Sequence, residues 1–124
     1  MSTHDSLPEI DFDHLKQYIG DDIETTKEVF GLFKHQVEMW SRGLDPYADD
    51  ETWQAILHSL KGSSRAVGAH NLGELCEVGE AMIGEKNNLE ARTLHVHEVQ
   101  FSIDRALIEI GRWEYRQTLA SMRS

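Results

Sequence analysis

Apolar residues return along this chain at steps of three, four and seven, and only two prolines, Pro8 and Pro46, lie where those patterns stop. Such steps put side chains on one face of an α-helix, whereas a strand needs alternation at two, which is almost absent here. The clearest run is Val99, Ile103, Ala106, Ile110 and Trp113, a bundle seam on a last helix starting near Leu89. Ile23, Phe30, Phe33, Val37, Trp40 and Leu44 make a second buried stripe, on a helix expected from Asp21, with Glu24 in the capping-box position, to about Leu44. Leu32 and Met39 fall outside that stripe and are expected to touch the first helix or stay half exposed. That first helix is short, Ile10 to Ile19, with Phe12, Leu15 and Ile19 on one side and Gly20 as its stop. Asp49 or Asp50 caps a third long segment reaching about Val67. Asn71 with Glu74 repeats the capping-box spacing before Leu72, Leu75, Cys76, Met82 and Ile83.

The fold class expected is all-α, an antiparallel four-helix bundle with an additional short N-terminal helix. Residues 1–9 are expected to be a flexible N-terminus and residues 10–124 one bundle domain. The last helix is long, so the part after Gly111, with Arg112, Arg116 and Arg123, is expected to project or fray. It is also where self-association would arise in a chain otherwise expected to be a monomer.

With 124 residues the chain can bury one core and not two. Twelve Lys and Arg against 22 Asp and Glu leave a net charge of −10, and such a surface repels phosphate backbones and anionic lipid. Neither nucleic acid nor a membrane is expected as a partner. The single cysteine, Cys76, cannot form an internal disulfide, and no apolar run is long enough for a transmembrane span or signal peptide. The expected location is cytoplasmic.

On a wheel of about 100° per residue with Trp53 at zero, Ile56, Leu57, Leu60, Ser64 and Val67 fall within about 60° and form the core face. His58 falls at about 140°, pointing outward between Gln54 and Arg65. Lys61 follows one turn on and Gly62 lies four residues away. Glycine inside a helix costs about 1 kcal/mol relative to alanine, so Gly62 calls for a reason, and access to His58 supplies one. Lys61 is placed to neutralise oxygens of a phosphoryl group on that ring. His58 lies eleven residues before Ala69 and Glu80 eleven after, so an antiparallel hairpin turning at Ala69 sets them at one level. A carboxylate there accepts the Nδ1 hydrogen and leaves Nε2 free to react. Glu77, one turn earlier, is the weaker candidate for that role. Ser63 and Ser64 read as small packing residues.

The stretch His58-Ser59-Leu60-Lys61-Gly62-Ser63-Ser64, followed by Val67-Gly68-Ala69, Leu72, Leu75, Cys76 and Glu80, resembles the signature of the histidine-containing phosphotransfer (HPt) domain. The specific part covers roughly residues 54 to 83; the flanking helices agree in number and length only. The resemblance implies a phosphorelay intermediate in which His58 accepts a phosphoryl group from a receiver-domain phospho-aspartate and passes it to the aspartate of a response regulator. It makes Lys61 the nearby cation, Gly62 the access glycine and Glu80 the residue that orients His58. From the wheel, Gln54, Lys61 and Arg65 are expected at the rim of the docking surface around His58, and Gln54, Arg65 and Glu77 are the residues expected to bind the partner. The implied partners are the receiver domain of a hybrid histidine kinase and that of a response regulator, which brings the Mg²⁺; the chain needs no cofactor of its own.

No glycine-rich ATP site is present, so autonomous kinase activity is not expected. The alternative is a helical adaptor that binds and regulates a receiver without being phosphorylated, against which the intact His58, Lys61 and Gly62 argue. A metal-binding bundle is disfavoured because His95-x-His97 and Glu74 to Glu80 lack the inward Glu-x-x-His pattern. A kinase's dimerisation and phosphoacceptor segment would need an ATP-binding domain beside it.

Overall fold

The computed structural model describes residues 8–123, so most of the N-terminal segment expected to be flexible lies outside the described residues. Among them five α-helices follow in order: α1 (Phe12–Ile19), α2 (Ile23–Arg42), α3 (Asp50–Ala66), α4 (His70–Glu80) and α5 (Leu89–Met122), with a 3-10 turn at Gly84–Lys86 between the last two. Helices α2 to α5 form the bundle, with α3 and α4 the most closely paired, and α1 closes one end.

Four of these five starts follow from a short polar side chain accepting a free backbone N–H. Asp11 caps α1 through His14 N, Asp49 caps α3 through Thr52 N at 2.7 Å, and Asn88 caps α5 through Ala91 N. Two expected caps are corrected. The start of α2 is capped by Asp22, not Asp21, through Glu24 N and Thr25 Oγ1. Helix α4 begins at His70 behind Ala69 with no side-chain cap, so Asn71 and Glu74 form no capping box and Asn71 is buried in the first turn. The chain arrives there through a backbone-bonded turn, Gly68 N to Arg65 O and Ala69 N to Ser64 O, which satisfies carbonyls at the end of α3, and the first turn of α4 then closes through Gly73 N to Ala69 O.

The core face read for α3 is buried throughout: Trp53, Leu57 and Leu60 with Phe30, Phe33 and Val37 from α2, Leu72 and Cys76 from α4, and the α5 seam through Ile110. Ile23 is the exception to the α2 stripe. It is half exposed at the first helical position and lines a shallow groove with Phe12, Leu15 and Trp113. Leu32 and Met39 are exposed, within the expected range. Met82 and Ile83 lie beyond the end of α4, in the link to α5. Past Gly111 helix α5 projects and does not fray: Trp113 packs edge-on against Phe30 at 5.2 Å, Glu114 holds Lys34 at 2.7 Å, and from Thr118 the helix runs on exposed to Met122.

Two glycines allow close approaches that set the frame. Gly68 has φ of 78°, and a Cβ there would stand 2.6 Å from Asp11 O, where Asp11 N donates to Gly68 O and ties the entry to α1 onto the α3–α4 turn. At Gly79 a Cβ would collide with the His95 ring and lie 2.7 Å from Leu57 Cδ1. That contact brings α4 against α3 and α5 at the level of the site.

Candidate functional site

Trp53 points into the core and donates its indole N–H to Gly79 O at 2.8 Å. It thereby fixes the last turn of α4 against α3, one residue from Glu80. Gln54, next along α3, reaches Glu80 O through its amide at 3.3 Å. The following link is held by Arg92 of α5, which is fully buried and donates to Met82 O, Ala48 O and Asp50 Oδ1 while its guanidinium stacks 4.5 Å over the Trp53 ring. Asp50 in turn accepts from Gly84 N at 2.7 Å. Sequence reading passed over Arg92. The signal was there, because Arg92 and His95 continue the seam of Val99 backward at steps of three and four.

On this frame His58 is 72% exposed, and its Nδ1 lies 3.6 Å from Glu80 Oε1. That separation is longer than a hydrogen bond. The same oxygen is 2.8 Å from Lys61 Nζ, and both side chains of that pair are largely covered. The approach lies off the hydrogen-bonding direction, so it is an ion pair by distance, and Oε1 is otherwise buried without a partner. The structure thus brings His58, Lys61 and Glu80 around one carboxylate oxygen, with Lys61 drawn to Glu80 and not extended to solvent.

Gly62 meets nothing within 4 Å of its missing Cβ. No packing demand inside the protein accounts for it, unlike Gly68 and Gly79. Arg65 and Glu77 pair with each other at 3.2 Å on the exposed surface of the α3–α4 hairpin. Ser64 is buried and donates to Leu60 O, as a packing residue. His95 is buried with no hydrogen-bond partner at Nε2, and burial holds it below its ordinary titration range. Among the described residues no group of three or more His, Cys, Asp or Glu side chains is arranged to hold a metal ion. No helix among them is long and apolar enough to cross a membrane.

The family model described as the Hpt domain matches residues 13–113, from α1 through the packed part of α5. The chain belongs to the Hpt-domain family. The fold matches the crystal structure of histidine phosphotransferase ShpA from Caulobacter crescentus with a TM-score of 0.72 and 34% identity, over 92% of this chain and 98% of that one. No curated protein matches the sequence. Hpt domains are phosphocarriers and not kinases, and they act with receiver domains, so this Hpt chain has a phosphorelay role in two-component signalling.

Proposed function

We propose that His58 is the phosphoacceptor, taking a phosphoryl group at Nε2 from a receiver phospho-aspartate and delivering it to the aspartate of a response regulator. The observation that carries this reading is the exposed imidazole whose Nδ1 faces Glu80 beside the open surface at Gly62. In the forward step the Nε2 lone pair forms the N–P bond while the P–O bond to the aspartate breaks, and the departing carboxylate keeps its electron pair. The ring retains the Nδ1 hydrogen and becomes cationic, and Glu80 stabilises that charge. Lys61 leaves Glu80 for the phosphoryl oxygens as the ring cation takes its place. Transfer of this kind rests on alignment and charge stabilisation, and the Mg²⁺ belongs to the receiver.

Gln54, Arg65 and Glu77 surround the site at the surface and would meet the receiver; the kinase side supplies the phosphoryl group and the response regulator takes it, in the cytoplasm. The test is to incubate the protein with phosphorylated receivers and Mg²⁺ and follow acid-labile phosphate by intact mass on wild type and His58→Gln. Label on wild type and none on a folded His58→Gln variant is the expected result. Binding of a receiver equally to both forms, with no transfer to either, would replace the carrier with a phosphate-free adaptor.

A further inference from the structure

Leu94, Phe101, Ile108, Tyr115 and Met122 stand seven residues apart along α5, and all five are between 54% and 76% exposed. They fall on the opposite side of the helix from the seam that packs on α2 and α4, at about 140–180° from its centre. A strict seven-residue repeat on a helix of 3.6 residues per turn drifts by about 20° per heptad, so only a second helix wound around it in a left-handed sense follows the row from end to end.

The charges say what that second helix is. Residues 89–123 hold five acidic and five basic side chains, so the net −10 of the chain lies entirely outside them. Two copies of this helix therefore approach each other with no net charge of their own to oppose them, while the chain's excess of negative charge lies on the rest of the molecule. Register decides the direction. In a parallel, in-register pair each Asp104 faces Arg105 of the second copy and each Glu98 faces its His97. In an antiparallel pair centred on Ile108, Arg105 meets Arg112. Within one chain Arg105 holds Glu9 by Nε and Nη2, which leaves Nη1 for the other copy.

We infer that the outer face of α5 is a self-association surface, joining two copies of this chain as a parallel helix pair along the Leu94–Met122 row. This is independent of the role given to His58. The measurement is sedimentation velocity on the full chain across a concentration series, for wild type, Ile108→Glu and Phe101→Glu. The expected result is a wild-type mass that rises from one chain toward two, with each substitution raising the Kd at least about tenfold while the helical circular dichroism is kept. Both positions are exposed, so folding is preserved.

Orientation is read by single Leu94→Cys, Ile108→Cys and Met122→Cys variants under a mild oxidant. Cys76 stays silent, since it is buried and its thiol is pushed up to about 12. All three variants cross-link in the parallel pair, whereas linkage of Ile108→Cys alone overturns that arrangement. A wild type that remains a single chain into the millimolar range overturns the proposal and gives the row to a helix of another protein. Dimerisation that survives both glutamates overturns it as well.

Discussion

Gly62 occupies the middle of α3 with open space where a Cβ would be, so alanine there should raise stability by about 0.5–1 kcal/mol through helix propensity. If the space serves a docking receiver, Gly62→Leu slows phosphotransfer at least about tenfold with no loss of melting temperature. Urea denaturation and a transfer time course on the same preparations check both halves; a leucine variant that transfers at the wild-type rate would leave the glycine without a functional reason. Lys61 carries a second expectation. Lys61→Met strands the covered Glu80 carboxylate and should cost about 1–3 kcal/mol. Adding Glu80→Gln should restore much of that stability and none of the transfer rate, because the phosphoryl cation is still missing. Recovery of both would make the pair merely structural. His58 and Gly62 were legible from the wheel because each needs only its own helix. The contact of Lys61 with Glu80 was not, since a four-carbon stem reaches either solvent or the neighbouring helix and only the position of α4 chooses.

Helix α4 shows how elements are placed by neighbours more than by their own sequence. Its start has no side-chain cap, while its last turn and the link beyond are gripped by Trp53, Gln54 and Arg92 through three backbone carbonyls, those of Gly79, Glu80 and Met82. Gly79→Ala should therefore destabilise by about 1–3 kcal/mol, because the His95 ring and Leu57 must move to admit a methyl group. Arg92→Leu should cost at least about 1–3 kcal/mol by stranding the Met82 and Ala48 carbonyls, while Asp50 keeps Gly84 N and the Asn87 amide. Thermal unfolding of the two variants measures both, and a loss below 1 kcal/mol at either position would remove it from the frame. The Asn71-x-x-Glu74 spacing misled for the same reason. A capping box works where a helix begins, and the backbone turn through Gly68 moved the beginning of α4 to His70.

Across the whole molecule, stability should fall as pH drops below the ordinary histidine range. His95 is buried and held below its usual value near 6.5, chiefly by desolvation. Above that value the ring is neutral in both folded and unfolded chains and contributes no pH dependence. Below it the unfolded chain binds a proton that the folded chain refuses, so stability declines until the lowered folded value is passed. Urea midpoints at pH 8 and pH 5.5 for wild type and His95→Gln should show a steeper acid loss in wild type; parallel losses would assign the dependence to another group. The helical periodicity, the stops at Gly20 and Pro46, the buried face of α3 and the outward direction of His58 were determined by the sequence alone, because each depends on interactions within one helix or turn. The hairpin level of Glu80 also followed, since antiparallel counting from a tight turn needs no knowledge of packing. The tertiary structure decided where Ile23, Arg92 and His95 reside, which atom Lys61 engages and which row of α5 stays bare. Those outcomes depend on distances between helices, and the hydrophobic pattern of a chain specifies which face is buried without specifying what lies across from it.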